Sequence, residues 1–474
     1  MGYTDNMSPE MKQRIERRLS ELAESTDDTK LKMHLHDSAI NISTANISTI
    51  HSFCGNVLRR NCHIVGLDPA FRTADAAEAA LLRLKALDDV LEEAYSDAEK
   101  TSDSDFRLLC DALIRDDALC TLIEDTYDFI TARPNPFGWL HEAVEAYGSS
   151  FETFSEKAAE SLIASAKRNI STFYDMANEL YHCFVNENNP EFEVYTKLLQ
   201  TDMGFYDELM QLKTYSDWHC KIAPCAFAKI PSRKGGAPAE LKEYREKVKS
   251  QFKKISEAFC CSYDVERENA ARIYPCLKSL EAIVRRFAEH YSELKRENAL
   301  IDFNDMEQLA YTVLKNDEIA AEYKEKFKYI FVDEYQDTNS IQDAIIAAVS
   351  NGHNLFMVGD VKQSIYRFRQ AEPENFLAKY QSYDGTVGKR IDLNANFRSM
   401  TSVLNAANSL FSKIMLGDVG EIDYSDNAEL RMGAETANGS AEICLISSRS
   451  CSVVSKSKCT ALAGGTVCPS SFSA

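Results

Sequence analysis

Tyr329-Ile-Phe-Val332, running into Asp333-Glu-Tyr-Gln-Asp337, and Leu355-Phe-Met-Val358, running into Gly359-Asp-Val-Lys-Gln363, decide the fold class of this chain. Each is a compact apolar run that stops at a polar cluster, and Ile341 to Val349 between them has helical spacing. Strand, helix, strand in that order reads as a βαβ unit of a parallel sheet, with buried strands whose functional groups collect at their carboxyl ends. A third strand is expected near Arg390–Leu393, leading into Asn394-Ala-Asn-Phe-Arg-Ser399, and a last one over Ala441–Ile446.

Upstream the pattern is helical. Met7 to about Ala23 has a basic polar face formed by Lys12, Arg14, Arg17 and Arg18, and a second helix is expected after Ser48-Thr49, through Phe53, Val57 and Leu58. From about Asp68 to Asn298 the spacing stays helical, as in Ala79 to Leu91, which predicts an all-α insertion packing as its own domain. One break, Lys229 to Pro238, is a Pro/Gly loop with three positive charges before a lysine-rich helix through Lys254. It reads either as a solvated loop and helix face or as a DNA contact. Beyond Ser447 the chain is Ser/Cys/Gly-rich without periodicity, and Cys444, Cys451, Cys459 and Cys468 are too irregularly spaced for a zinc ribbon. That tail reads as disordered or foreign to the fold.

A length of 474 residues implies two or three domains. The net charge of -20 excludes a generic nucleic-acid coat protein, because phosphate binding needs Lys and Arg; any nucleic-acid site must be local. No apolar run approaches the length of a membrane span and the N-terminal stretch lacks a signal core, so a cytoplasmic location is expected. Most of the fourteen cysteines are scattered singly through helical patterns, and neither Cys220/Cys225 nor Cys260-Cys261 makes a convincing metal framework.

Two clusters carry chemistry. At the tip of the first strand, Asp333 could hold Mg²⁺ through its water shell, and Glu334 could orient and deprotonate an attacking water, the two tasks of an acidic pair in an ATPase. Alone the DExxD string is weak, since acidic residues after strands are common. The second cluster, Val358 to Ala371, adds Gln363 as a γ-phosphate sensor and interleaves Tyr366 and Phe368 with Arg367 and Arg369. Aromatics among arginines suit single-stranded nucleic acid, because every base has a face to stack on, although one of the two rings could be core.

DEYQDT, then VGDVKQSIYRFRQAEP, then LNANFRS together resemble motifs II, III and IV of the UvrD-like superfamily-one DNA helicases. IYRFRQAEP, with Ser48-Thr-Ile-His-Ser-Phe-Cys54 and the long helical span, is most similar to the AddA chains of AddAB helicase-nucleases. The resemblance implies Asp333 as Mg²⁺ ligand, Glu334 as catalytic base, Gln363 as the residue coupling γ-phosphate to DNA, and Arg398 as the motif IV arginine reaching the γ-phosphate. It implies a DNA-facing set as well. Tyr3 and Thr4 stand in a motif Ia-like segment, Thr49 and His51 at motif Ib positions, and Tyr366, Phe368 and Arg369 in motif III, while Leu300-Ile-Asp-Phe-Asn-Asp305 resembles the DFxDL segment. Without that context His51 would more often be a capping or core histidine.

The implied fold is α/β. A P-loop/RecA-like parallel-sheet domain (1–67 and 299–388) is interrupted by the helical insertion (68–298), followed by the start of a second RecA-like domain (389–446) and the atypical tail (447–474). The implied function is an ATP- and Mg²⁺-dependent 3′ to 5′ helicase, acting on single-stranded DNA and duplex ends in double-strand-break repair by homologous recombination. Its partner would be an AddB-like nuclease in a heterodimer, with no membrane association. No GxxxxGK[ST] phosphate loop, motif V, motif VI or nuclease segment occurs in these residues, so the chain reads as a truncated form. The alternative is a catalytically inactive DNA- or partner-binding fragment.

Overall fold

The computed structural model describes residues 7–101, 104–113, 116–187, 189–222, 227–231, 236–383, 385–386, 388–415, 424 and 429–433. The expected strand over Ala441–Ile446, the tail from Ser447, and Tyr3 and Thr4 lie outside them. The fold is mostly helical α/β, with short parallel strand pairs: β1 (Arg72–Thr73) with β2 (Leu300–Ile301), β3 (Ile330–Val332) with β4 (Leu355–Met357), and β5 (Ala395–Asn396) with β6 (Arg431–Met432). Two compact units are separable, one of residues 1–333, 338–358 and 368–371, the other of 334–337, 359–367 and 372–474.

In the first unit the elements start where local chemistry starts them. Thr49 caps the helix Ile50–Asn61 by accepting from the Ser52 N–H, and Asn339 caps Ser340–Val349 by accepting from the Gln342 N–H. Asp302 and Asp305 form a capping box that opens the helix Phe303–Leu314. These three helices close over Ile301 and Ile330, with Cys54, Val57, Leu58, Ala310, Val313, Ile341 and Ile345 at the centre. Burial raises the Cys54 thiol well above its ordinary value.

Every described element from Ala76 to Glu297 is helical. This span holds two apolar cores. One lies among Ala76–Thr101, Asp116–Thr131, Pro136–Glu145 and the long helix Tyr263–Glu297, the other among Phe151–Asn186, Glu193–Gln211, Tyr215–Ile222 and Ala239–Ala258. Both nonetheless fall in one compact unit with β3 and β4, to which the helical span is tied by the Ile341 N–H donating to the Ala132 carbonyl.

Two expectations are corrected. The strands β3 and β4 are not buried on both faces. Ile330 packs against the core, while Tyr329, Phe331 and Phe356 on the alternate face are 74%, 73% and 51% exposed, because the helices Phe303–Leu314 and Ser340–Val349 cover a single face. The third strand does not run over Arg390–Leu393: Ile391 and Leu393 are exposed there, and pairing falls instead on Ala395–Asn396.

The second helical core contains a buried ion pair, Arg245 Nη2 to Asp202 at 2.9 Å, with both side chains under 5% exposed. Burial outweighs the arginine and pushes the Asp202 carboxyl up to about 6. Asp202→Ala strands the buried guanidinium and should lower the unfolding free energy by about 3–5 kcal/mol in a chemical melt. The double variant with Arg245→Met should recover much of that loss, and a double variant as unstable as Asp202→Ala would contradict the account.

Candidate functional site

In the second unit Glu334-Tyr-Gln-Asp337 folds as a bend and a single 3-10 turn, and Glu334 holds a left-handed backbone (φ 51°), a conformation that costs a non-glycine residue about 1–3 kcal/mol. The turn buries Tyr335 and Gln336, and leaves the Glu334 side chain exposed. Gln336, 1% exposed, is the hub. Its Nε2 donates to Glu334 Oε2 at 2.7 Å and more distantly to Asp337 Oδ2 at 3.4 Å, and its Oε1 accepts from the Asp360 N–H at 3.0 Å. Asp360 in turn caps the short turn Val361–Gln363, pairs with Lys362 Nζ at 2.9 Å, and accepts from Gln363 Nε2 at 3.0 Å. Glu334 and Gln363 are thus joined through two intermediate residues, the Gln336 amide and Asp360, whose backbone N–H and carboxylate make the two contacts. Burial, then the Glu334 charge, raises the Asp337 carboxyl above its usual range.

The same unit holds Tyr366, half-buried, and Arg367, whose Nη2 is 2.8 Å from Glu374 Oε1. Arg398 is exposed, in a turn built by Asn396 Oδ1, which accepts from the Arg398 and Ser399 N–H groups at 2.8 Å each.

In the first unit Asp333 is exposed at the carboxyl end of β3, and Phe368 is 74% exposed. Arg369 lies in the short turn Arg367–Arg369, and its side chain is outside the described set. Thr49 spends its hydroxyl on the helix cap, bonding Ser52. His51, in the first turn of that helix, places Nε2 3.1 Å from Glu307 Oε1, and its ring meets the edge of Phe303 at 5.0 Å. Glu307 is 4% exposed and also accepts from Gln342 Nε2 at 2.7 Å and Asn339 Nδ2 at 3.4 Å. Through Glu307, His51 is therefore fixed to Asn339 and Gln342, which follow the acidic motif.

Of the DFxDL-like segment only Phe303 is exposed, at 58%. Its two aspartates turn inward to Lys295, 2% exposed, whose Nζ lies 2.9 Å from Asp302 and 2.5 Å from Asp305, and 3.9 Å over the Tyr291 ring. Burial, then the Asp302 charge, raises Asp305 to about 6; against its own burial the lysine keeps Asp302 below its ordinary value.

Sequence reasoning missed Gln336, Glu307 and Lys295. The available signal for Gln336 was a neutral amide among the three acidic residues of the motif; for the other two there was none short of the tertiary contacts.

No group of three or more His, Cys, Asp or Glu among the described residues could enclose a metal. Magnesium does not need one, since it is usually held by one or two carboxylates, waters and substrate phosphates, and exposed carboxylates at a strand tip fit that donor set.

Gly359 follows from the Gln336 hub. A Cβ there would lie 2.6 Å from Gln336 Oε1 and 3.0 Å from Phe376 Cε2. Gly359→Ala should displace the amide and cost about 1–3 kcal/mol in a thermal melt. A variant as stable as the native chain would show that the hub has slack.

The description "UvrD/REP helicase N-terminal domain" matches residues 1–384. The AddA-type chain of the ATP-dependent helicase/nuclease of Alkaliphilus oremlandii (strain OhILAs) is 35% identical over 448 residues, 91% of this chain and 37% of that protein. Its counterpart from Listeria monocytogenes serotype 4b (strain F2365) is 36% identical over 485 residues, 94% of this chain and 38% of that protein. That of Clostridioides difficile (strain 630) is 33% identical over 466 residues, 91% and 36%. The chain spans a little over a third of the length of these relatives.

Proposed function

Because the chain belongs to the UvrD/REP helicase family, we propose that it forms part of the motor of an AddA-like, ATP-dependent helicase that moves 3′ to 5′ on DNA. It would act on single-stranded DNA and duplex ends in double-strand-break repair by homologous recombination, in the cytoplasm, with an AddB-like nuclease for a partner. In this reading β3 and β4 belong to a P-loop/RecA-like domain interrupted by the helical span, and residues from 389 open a second such domain.

The observation that carries the reading is the Gln336 relay, which joins the acidic motif to Gln363 through Asp360. ATP with Mg²⁺ would supply the phosphoryl group and the charge that positions it. Asp333 would hold the ion through water, and Glu334 would take the proton from the attacking water. Gln363 would sense the γ-phosphate and Arg398 would stabilise charge building on it. A shift of Glu334 or Gln363 by a few tenths of an ångström would be passed along the relay, because each link is a single hydrogen bond and the middle one runs from the buried Gln336 amide to the Asp360 backbone N–H. On the DNA side we assign Tyr3, Thr4, Thr49, His51, Tyr366, Phe368 and Arg369, and add Phe303, an exposed ring held edge-on by His51. Glu307 would be a positioning residue that fixes His51 to the segment after the acidic motif.

Single-stranded DNA should bind weakly and lose affinity with salt. Phe303→Ala, and Phe368→Ala with Tyr366→Ala, should each weaken fluorescence-anisotropy binding of oligonucleotides of any sequence by about 1–3 kcal/mol per base unstacked. Unchanged affinity in all of these variants would remove these rings from the DNA site.

A polypeptide of these 474 residues has no GxxxxGK[ST] loop, whose backbone and lysine hold the phosphates in line. Positioning is the main work of phosphoryl transfer, so phosphate release from it should stay near background. DNA-stimulated turnover that vanishes in Glu334→Gln would contradict this.

A further inference from the structure

The joint between the two helical cores carries two adjacent thiols that nothing above employs. The helix Ala239–Ala258 ends at Phe259 and the long helix Tyr263–Glu297 starts at its cap Ser262, so Cys260 and Cys261 are the whole of the connection between them. Cys260 is exposed, Cys261 is half-buried, both are free, and their sulfurs are 3.6 Å apart. The backbone on either side is tied down. Phe259 is fully buried and stacks on Trp218 at 5.2 Å, its carbonyl is 2.8 Å from His219 Nδ1, and the Cys261 carbonyl accepts from the Tyr215 hydroxyl at 3.1 Å.

That geometry separates the ligands two thiols could take. A disulfide needs Cα atoms about 4.4–6.8 Å apart, whereas adjacent residues on a trans peptide are held at about 3.8 Å, so closing one here strains a backbone that its neighbours fix. A four-coordinate metal needs further ligands, and no group of three or more His, Cys, Asp or Glu among the described residues provides them. A thiophilic centre that requires two sulfurs and no more meets neither objection. Two bonds of about 2.3 Å, the length thiolates make to soft acceptors, span about 3.6–3.8 Å at a near-tetrahedral angle, which the two side chains already offer.

We propose that Cys260 and Cys261 form a vicinal dithiol site for trivalent organoarsenicals. The reaction is a condensation. An arsenoxide R–As=O and two thiols give R–As(S-Cys)₂ and water: two As–S bonds form, the arsenic oxygen leaves with both thiol protons, and no oxidation state changes. The hydrogen bond to Cys260, then burial, raises the Cys261 thiol to about 11, so at neutral pH Cys261 brings to this condensation the thiol proton that it consumes. Exposed thiols such as Cys183 and Cys220, with no second thiol beside them among the described residues, can make one such bond but no chelate, and a competing monothiol removes it.

The test uses the full chain treated with phenylarsine oxide, passed through gel filtration in excess glutathione, and weighed intact by mass spectrometry. One retained phenylarsine per chain is expected, located on the peptide containing Cys260 and Cys261 and released by a dimercaptan. Cys260→Ser and Cys261→Ser should each lower retention by about a hundredfold or more, the ordinary gain from a second linked bond. Cys183→Ser and Cys220→Ser should not change it. Circular dichroism melts matching the native chain will show that the serine variants remain folded. Absence of retained arsenical, retention mapped to other cysteines, or full retention in a folded Cys260→Ser chain would overturn the site.

Discussion

The first unit depends on one buried ammonium. Lys295 closes the last turn of the long helix Tyr263–Glu297 and reaches both carboxylates of the capping box that opens the helix Phe303–Leu314. Burying a lone ammonium costs several kcal/mol; two carboxylates and the face of Tyr291 offset it, and so fix the angle at which one helix hands the chain to the next. A second pair braces the same joint. Arg83 forks onto Asp128 at 2.7 and 2.9 Å beneath the rings of Tyr127 and Tyr291, and Asn304 also donates to Asp128. The face of Phe303–Leu314 that carries Phe303 and Glu307, and through Glu307 the orientation of His51, follows from this arrangement. The helical span is in this sense the foundation of the proposed DNA edge rather than an ornament on it.

In the second unit an amide does comparable work without charge. Gln336 has one donor group and one acceptor, and uses them on different segments, the donor on the acidic turn and the acceptor on the backbone of Asp360. A carboxylate at this position would repel Glu334 and could not donate; an apolar side chain would leave the Asp360 N–H without its partner. The left-handed backbone of Glu334 is the local strain that this network holds in place.

Much of this was legible in the sequence wherever the signal is local. The cap Thr49, the sustained spacing of the helical span, and two apolar runs with a helix between them depend on neighbours a few residues apart. The strand pairing of Ile330–Val332 with Leu355–Met357 follows from that last pattern. What could not be read depends on tertiary partners. Leu300 to Asp305 reads only as a DFxDL-like segment; that its aspartates face Lys295 while Phe303 faces out depends on the tertiary contacts. The compact apolar run Tyr329-Ile-Phe-Val332 reads as a buried strand, but which face is covered is decided by helices elsewhere in the chain. Candidate catalytic residues were legible as types in an order, whereas Gln336, which joins two of them, is recognisable only once residues 336 and 360 are seen side by side.

The central claim is that Glu334, held by Gln336 and joined to Gln363, is the base of an ATP-hydrolysing motor. The most direct measurement is phosphate release, with and without single-stranded DNA, from a polypeptide in which these residues are joined to a GxxxxGK[ST] loop. Glu334→Gln should lower the DNA-stimulated rate by about a hundredfold or more while nucleotide still binds, the loss expected when a general base is removed. Turnover that survives Glu334→Gln at the native rate would contradict the account.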